Sequence, residues 1–429
     1  MRFLLNSAKI CGIKNIDKEL SFSFTNKAMS DGSFDESYVK TIYGSNGAGK
    51  SGLVHAFEIT RTIATTTFPF KDPLFASKLV ELINKRTKRF SIELVFSCSE
   101  KKMFRYSLAV SVSDGLEPYI SFESLEELNA RGDFKNLFFK VEDGVLSKDS
   151  DPSLFMNELP PRLARESTLI APKSIGEEPV HDAAYIAFSF FVGLNIVFGG
   201  ESDKHTSFDV KSLRKVMNGL KAPNDSINFN PLTLAAITSQ VDGNKYLWVL
   251  HYKAEEHYRS VAKKLCSFLH LAKPDLKDVE VAFKRNGIWS YAELRFNYGD
   301  YSIDYEFEST GIKKLCALFT ALMNASSGSI VIIDEVDAGI HDLFLVNLIE
   351  YFALYSPCQI IMTTHSIDLM ASVEGLSKSI DILTDEPSVV PWVKKGTLSP
   401  ISQYKKGYLG GVPVNLSPID FAPIFNDEE

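Results

Sequence analysis

The chain has 429 residues, of which 45% are hydrophobic and 23% are charged, and it carries a formal net charge of −8. This composition is typical of a globular protein with a buried core, and at about 150 residues per domain the length predicts two or three structural units. The negative charge argues against a protein that coats nucleic acid over its whole surface, although it leaves room for local basic clusters.

The cysteines and the apolar segments both favour a cytoplasmic protein without a membrane partner. Five cysteines are scattered without a CxxC pair, which fits reduced thiols better than disulfides or a zinc site. The first residues lack the long apolar stretch and cleavage site of a secretory signal. The longest uncharged apolar run, 183–198, is shorter than the roughly 20 residues of a membrane span. We interpret it as a buried helix, with a membrane-lying segment as the alternative.

The N-terminal part of the chain has the pattern of strands followed by a helix. Residues 3–13 and 19–24 alternate apolar and polar side chains, as half-buried strands do. A polar loop at 26–37 precedes a short buried strand at 38–43, which leads into a glycine-rich turn and a segment able to start a helix. Alternation returns between residues 90 and 122, where we predict antiparallel strands joined by polar turns.

The adjacent prolines Pro160 and Pro161 predict a boundary, beyond which the pattern becomes helical. Strands return from residue 278, and a helical segment at 311–326 precedes a buried strand at 329–335. We therefore predict an α/β fold in which a head domain is interrupted by a helical insertion. The predicted segments are an N-terminal part of the head (1–159), the helical insertion (160–277), a C-terminal part of the head (278–385) and a loop-rich tail (386–429).

The glycine-rich turn fits the pattern G-x-x-x-x-G-K-[ST] in full. Glycines let successive backbone N–H groups point inward at an anion, and the following helix adds the positive end of its dipole. Lys50 can then reach the β- and γ-phosphates of a nucleotide, and the Ser51 hydroxyl can ligate Mg²⁺. The sequence therefore predicts a nucleotide-binding loop made of Gly44, Ser45, Asn46, Gly47, Ala48, Gly49, Lys50 and Ser51.

Two adjacent carboxylates, Asp334 and Glu335, end the apolar run at 329–335. A buried parallel strand has this pattern, and its C-terminal end is where α/β sheets bind ligands. We expect Asp334 to hold Mg²⁺ through its water shell and Glu335 to orient or deprotonate the attacking water. Taken alone, the two carboxylates also fit a solvated turn.

A second apolar strand ends at His365. At the tip of a strand next to Glu335, this histidine is placed to contact the γ-phosphate or the attacking water, with a structural role as the alternative.

Ser309, Thr310 and Gly311 stand at the start of the helical segment that precedes the Asp334 strand. A hydroxyl and a glycine at a helix N-terminus form a second anion site. One nucleotide has no need of two phosphate sites from one chain, so we interpret Ser309 and Gly311 as facing the γ-phosphate held by another subunit. The alternative is an ordinary N-cap, and both interpretations can hold together.

The sequences GSNGAGKS, ESTGIKKL, IIDEVDAG and TTHS, in this order, resemble ATPase heads of the ABC/SMC type. The nearest branch is the compact bacterial one around the RecF and OLD ATPases, several of which act in anti-phage or abortive-infection systems. The resemblance is clear over residues 1–60 and 300–370. It implies an ABC-type P-loop ATPase head, with a mixed sheet and an antiparallel β subdomain, that uses ATP and Mg²⁺ and dimerises around the nucleotide.

The resemblance also implies a role for each motif: Ser51 and Asp334 as magnesium ligands, Lys50, Glu335 and His365 as catalytic residues, and Ser309–Gly311 as a signature motif that works in trans. Asp337 to His341 falls where the family has its D-loop. His341 replaces the aspartate usual in transporters, although histidine is familiar in the OLD-like branch. No glutamine occurs before Gln240, so the Q-loop residue is unassigned and we expect slow hydrolysis, with ATP acting mainly as an assembly clamp.

We predict a regulatory ATPase whose ATP-bound dimer or larger ring controls a separate effector protein, a nuclease or toxin, in anti-phage defence. The tail after His365 lacks the acidic cluster of a Toprim nuclease, so the effector is expected on another chain. The main alternative is a RecF- or SMC-like DNA-binding ATPase, which the basic cluster at 85–89 beside Phe90 supports. An ATP-binding scaffold without catalysis is a third hypothesis.

Overall fold

A computed structural model describes the chain in several stretches, and statements about its structure refer to them. The described residues are 2–25, 34–151, 161–170, 182–198, 238–240, 246–287, 289–326, 328–373, 379–384, 388–393, 398–406 and 408.

The strands and α-helices are numbered in chain order. The strands are β1 (Phe3–Cys11), β2 (Leu20–Ser23), β3 (Tyr38–Gly44), β4 (Arg89–Cys98), β5 (Met103–Val112), β6 (Pro118–Leu128), β7 (Phe134–Glu142), β8 (Val145–Leu146), β9 (Leu194–Val197), β10 (Thr238–Gln240), β11 (Tyr246–His251), β12 (Asp278–Asn286), β13 (Trp289–Asn297), β14 (Ser302–Asp304), β15 (Ile330–Ile333), β16 (Gln359–Thr363), β17 (Ile380–Leu383) and β18 (Val389–Pro391). The α-helices are α1 (Lys50–Thr65), α2 (Pro73–Leu82), α3 (Pro161–Glu166), α4 (Asp182–Val192), α5 (Glu255–Ala272), α6 (Thr310–Ser326), α7 (Asp342–Tyr355), α8 (Ile367–Ser372) and α9 (Pro400–Lys405).

An antiparallel sheet is built mainly from the N-terminal part of the chain, in the order β2-β1-β4-β5-β6-β7-β8. Its strands alternate buried and less buried side chains, as in β2, where Leu20 and Phe22 are buried and the two serines are exposed. One face therefore packs into the core while the other meets solvent, which is the usual arrangement of an antiparallel sheet. This sheet confirms the antiparallel β subdomain that the alternation between residues 90 and 122 predicts.

The central sheet has the order β18-β17-β3-β16-β15-β9, and all of its strands are parallel except β18. It is buried on both faces. Ile330 and Ile332 of β15 join the core shared with α1, α4 and the antiparallel sheet, whereas Val331 and Ile333 join the core shared with α6, α7 and α8. Continuous apolar runs of this kind are what a doubly covered parallel sheet requires. The predicted α/β class with a mixed sheet is confirmed.

A third, smaller sheet has the order β10-β11-β13-β12, with β14 paired to β13. It packs against α5 in a separate core, to which α6 contributes Ile312 and Leu315. The opposite side of α6 contributes Leu318 and Leu322 to the core of the central sheet. Helix α6 is therefore held between two cores, and its N-terminus is fixed relative to the central sheet.

The predicted helical insertion at 160–277 is wrong in its composition, because the described residues of this segment contain strands as well as helices. The apolar run at 183–198 is not one helix: it divides at Gly193 into α4 and β9, and β9 pairs in parallel with β15. The physical reason is that Ile196 and Val197 are β-branched residues that pack well in a buried sheet, while glycine weakens a helix. The helical pattern predicted beyond Pro161 also covers 199–237, which lies outside the described residues.

Across the described residues, none of the helices has both the length and the apolar character that crossing a bilayer demands.

Candidate functional site

The glycine-rich loop connects the end of β3 to the start of α1, as the sequence predicts. Gly47 and Gly49 have positive φ angles of 84° and 109°, which side chains rarely tolerate. Gly49 also leaves little space for a side chain, since a β-carbon there would lie 3.0 Å from Ile16. The loop is therefore shaped by glycine conformation and by a tight contact with the segment between β1 and β2.

Lys50 occupies the first position of α1 and its side chain turns back into the loop. Its ammonium donates hydrogen bonds to the carbonyl oxygens of Gly44 at 2.7 Å and Ser45 at 2.9 Å. Burial lowers the pKa of Lys50, and the negative charges of Asp334, Glu335 and Asp337 oppose that shift. The three carboxylates therefore favour the charged form of Lys50.

Asp334 and Glu335 follow β15 directly, but their exposure differs. Asp334 is buried and accepts a hydrogen bond from the Thr363 hydroxyl at 2.6 Å, whereas Glu335 is exposed. The same hydroxyl accepts a hydrogen bond from the backbone N–H of Glu335 at 2.8 Å. Thr363, at the end of β16, therefore orients both residues, with Asp334 held in place and the Glu335 side chain directed to solvent.

His365 lies two residues beyond β16, the strand between β3 and β15. Its backbone N–H donates to the carboxylate of Asp337 at 3.3 Å. His365 is exposed, but partial desolvation and the positive charge of Lys50 lower the pKa of its imidazole, against the opposing effect of Asp337, Glu335 and Asp334. Because parallel strands end on the same edge of a sheet, the structure brings Lys50, Asp334, Glu335 and His365 to one edge.

The donors at this edge fit a magnesium nucleotide. The central part of the loop is open, since a β-carbon on Gly47 would meet no atom within 4 Å, and the N-terminus of α1 provides backbone N–H groups for phosphate. Mg²⁺ prefers oxygen ligands and keeps several waters, so one carboxylate and one hydroxyl with the nucleotide phosphates suffice. Asp334 and Ser51 supply such oxygens.

Ser309 immediately precedes α6 and Thr310 and Gly311 begin it, with Ser309 and Thr310 exposed. The Ser309 hydroxyl accepts a hydrogen bond from the N–H of Ile312 at 3.3 Å, so the N-cap interpretation holds. Gly311 contacts the D-loop segment, because a β-carbon there would lie 2.8 Å from the carbonyl oxygen of Gly339. The exposed end of α6 is thus fixed on the D-loop of its own chain.

His341 closes the D-loop segment and caps the following helix. Its Nδ1 accepts a hydrogen bond from the N–H of Leu343 at 3.3 Å at the start of α7. A capping residue at this position satisfies a backbone donor that the helix cannot satisfy itself. Histidine, which replaces the aspartate usual in transporters, therefore has a structural role here.

Sequence reasoning missed the segment between β1 and β2, which also contacts the loop. The Asn15 side-chain amide donates to the carbonyl oxygen of Gly47. Burial lowers the pKa of Lys14, while the charges of Asp334 and Glu335 oppose that change. Neither residue is part of a spaced motif, so only the three-dimensional contact identifies them. The Q-loop residue stays unassigned, because no glutamine occurs before Gln240.

A comparison with known protein families finds a match to part of the chain. Residues 246–371 match a family described as "AAA domain, putative AbiEii toxin, Type IV TA system". This match includes Ser309–Gly311, Asp334, Glu335 and His365, and it begins after the glycine-rich loop. For the part it covers, it confirms the resemblance to bacterial AAA-type ATPases. No curated protein matches the sequence.

Two solved structures of the recombination mediator protein RecF in the RecFOR pathway also align with the chain, one of RecF-ATPrS and one of RecF-ATP. The alignments cover 91% of this chain and 99% and 98% of the RecF chains, with sequence identities of 13% and 14%. The TM-scores are 0.42 and 0.43. A likeness at this level carries no conclusion about ligand or partner.

Proposed function

We propose that this protein binds and hydrolyses ATP between two copies of the chain and that its assembled form controls a separate effector protein. The observation that carries the proposal is the convergence of Lys50, Asp334, Glu335 and His365 at one edge of the central sheet. A phosphate loop, a buried carboxylate, an exposed carboxylate and a histidine are the groups that nucleotide hydrolysis needs.

Each residue has a distinct task in this proposal. Lys50 leaves the carbonyl oxygens of Gly44 and Ser45 to bind the β- and γ-phosphates, which offer a charged acceptor in place of two neutral ones. Ser51 and Asp334 hold Mg²⁺, which neutralises charge on the phosphates when bound. Glu335, exposed beside Asp334, orients the attacking water and takes its proton. His365 contacts the γ-phosphate or that water.

The proposal includes a second copy of the chain because of the exposed N-terminus of α6. This N-terminus supplies anion-binding groups to a nucleotide that is held by the other copy. Ser309 and Thr310 are exposed, and Gly311 is fixed on the D-loop of the same chain. The positive end of a helix dipole stabilises an anion that binds at the helix N-terminus. Two heads facing each other would each close the other's site, so ATP would act as an assembly clamp.

The effector is proposed to be a nuclease or toxin in bacterial anti-phage defence. This step rests on the resemblance to anti-phage ATPases and on the matched family, whose description names an AbiEii toxin and a toxin–antitoxin system. Binding of the effector would depend on the nucleotide, because the two heads assemble only around ATP.

The test is a pull-down of the neighbouring gene's product with the tagged chain in ATP and in ADP. We expect the partner protein to be retained in only one of the two nucleotide states. The difference between ATP and ADP should be largest with Glu335→Gln, which should bind ATP and trap the assembled form. Lys50→Ala is the matched control, because it removes nucleotide binding and should abolish the difference between ATP and ADP. Equal recovery of the partner in both nucleotides, or no partner at all, would contradict effector control.

A DNA-binding ATPase is the second candidate, because hydrogen bonds connect the basic turn at 85–89 to the phosphate-loop region. The Asn84 side chain donates to the carbonyl oxygen of Lys14 at 2.6 Å, and Lys14 precedes Asn15, which contacts Gly47. Against this candidate, Lys85 and Arg86 are already paired with Glu81 and Asp17. DNA-stimulated hydrolysis that is lost with Lys88→Ala and Arg89→Ala would favour it.

A further inference from the structure

Lys314 is a buried lysine on α6 whose side chain reaches the end of β15. Its ammonium donates hydrogen bonds to the backbone carbonyl oxygens of Asp334 at 3.2 Å and of Glu335 at 3.0 Å. Lysine is seldom buried, because its charge loses hydration that its partners must replace. The buried ammonium of Lys314 therefore holds the backbone at Asp334 and Glu335.

The backbone that Lys314 contacts has an unusual conformation. Glu335 has a φ of 44°, in the left-handed region that residues with a side chain seldom adopt. Such a conformation persists only where surrounding contacts over-determine it, and it concentrates at functional sites. The direction of the Glu335 side chain depends on this angle, since the Cα–Cβ bond turns with the backbone.

The central sheet also contacts the Asp334–Glu335 segment. The N–H of Asp334 donates to the carbonyl oxygen of Val197 at 2.7 Å, and the N–H of Glu335 donates to the Thr363 hydroxyl at 2.8 Å. Val197 and Thr363 thus hold the N–H groups. Lys314 bonds to both carbonyl oxygens, and the N–H of Ala338 also donates to that of Glu335 at 3.0 Å. Lys314 makes these contacts from α6, the helix that Ser309 caps and that begins with Thr310 and Gly311.

We infer that Lys314 is a positioning residue for Glu335, which couples the exposed end of α6 to the group that activates water. The inference rests on the proposed ATPase function and adds a regulatory link to it. Lys314 holds the Glu335 backbone in the conformation that aims its carboxylate. A nucleotide held by the second copy that engages Ser309 and Gly311 would act on this contact through α6. Hydrolysis then depends on assembly, whereas nucleotide binding at Lys50 does not.

The neighbouring Lys313 provides a matched control. Its ammonium donates to the carbonyl oxygen of Glu306 at 2.7 Å, away from Asp334 and Glu335, and it lies near the Tyr305 ring. Lys313→Met and Lys314→Met remove the same charge from adjacent positions of the same helix. A difference between them reports the contact with the Asp334–Glu335 carbonyl groups rather than net charge or helix propensity.

The first experiment measures backbone hydrogen exchange in the nucleotide-free chain, so it does not depend on activity. We expect Lys314→Met to accelerate exchange in the peptide that contains Glu335 and Val336, while Lys313→Met leaves it at the wild-type rate. Unchanged exchange in Lys314→Met would overturn the inference even if the protein is an active ATPase.

The second experiment measures steady-state ATP turnover. Lys314→Met should lower kcat by about 10- to 100-fold, as for a misplaced catalytic group, and leave KM within about twofold, while Lys314→Arg recovers part of the rate. Added to Glu335→Gln, Lys314→Met should cause no further loss, because it acts through Glu335. An additive loss, or a higher KM with unchanged kcat, would overturn the inference. Absence of turnover in the wild-type chain would instead overturn the proposed function, which the exchange measurement does not test.

Discussion

Gly311 and Gly339 are in close contact: a β-carbon on Gly311 would lie 2.8 Å from the Gly339 carbonyl oxygen. Contacts this short between a β-carbon and backbone are essentially never found in proteins, so one of the two segments would have to move. The D-loop that contains Gly339 also contains Asp337, which accepts a hydrogen bond from the N–H of His365. The exposed end of α6 is therefore linked through the D-loop to the histidine of its own site.

Gly311→Ala should disturb this contact specifically. The backbone of Gly311 lies outside the positive-φ region, so alanine is compatible with the helix and should otherwise favour it slightly. We expect ATP affinity to be retained and turnover to fall by about tenfold or more, because a shift near 1 Å is enough to misplace catalytic groups. Gly115→Ala is the control, since its nearest neighbour lies at 3.7 Å. Equal turnover in the two variants would contradict a functional contact between α6 and the D-loop.

Lys50→Ala should weaken nucleotide binding strongly without unfolding the chain. The Lys50 ammonium bonds to the carbonyl oxygens of Gly44, the last residue of β3, and of Ser45 in the loop, and the Lys50 side chain is not part of the hydrophobic cores of the described residues. Loss of a charged donor to two phosphates should weaken ATP binding by roughly 3 kcal/mol, or about 100-fold. Fluorescent-nucleotide titration and thermal melting measure the two effects. Lys71→Ala, at an exposed lysine, should bind ATP as the wild type does.

Ser309→Arg should leave ATP binding intact and block assembly, because it places a long side chain at the exposed end of α6. Some stability is also lost, about 1 kcal/mol, since the Ser309 hydroxyl caps the helix. Ser326→Arg makes the same change at the exposed opposite end of α6. Light scattering with ATP should show assembly of Ser326→Arg and not of Ser309→Arg. Assembly of both variants would exclude this surface from the contact between copies.

His365 should make the folded state less stable in mild acid. Its pKa is lowered by burial and by Lys50, so below about pH 6.5 the unfolded chain binds a proton more readily than the folded one. The stability of the wild type should therefore fall from about pH 6.5 down to the lowered folded pKa, relative to His365→Asn. Urea denaturation at several pH values measures the difference. His257→Asn, at an exposed position of α5, is the control. Identical pH dependence of wild type and His365→Asn would contradict the lowered pKa.

The motifs were predictable from the sequence because each combines a short pattern with its place on an element. Lys50 follows a buried strand and begins a helix, and Asp334 and Glu335 end another buried strand, so parallel pairing alone places them at one edge. The start of α6 at Thr310 was predictable from its helical periodicity. The assignment of roles to these residues stays a prediction until the variants are measured.

The contacts that connect these motifs were not predictable, because they depend on register and on side-chain reach. Thr363 bridges Asp334 and Glu335 across two strands, and Lys314 reaches the same segment from a helix. Asn15 contacts Gly47 from a turn that contains no sequence motif of characteristic residue spacing. The division of the apolar run at Gly193 was missed because periodicity does not separate a buried helix from a buried strand in a short apolar run.

The most direct test of a nucleotide shared between two copies is ATP turnover per chain over a wide range of protein concentration. If Ser309 and Gly311 of one copy complete the site of the other, turnover per chain should rise with concentration and level off once assembly is complete. Lys50→Ala sets the background rate. Turnover per chain that stays constant down to concentrations at which light scattering shows only monomer would contradict the shared site.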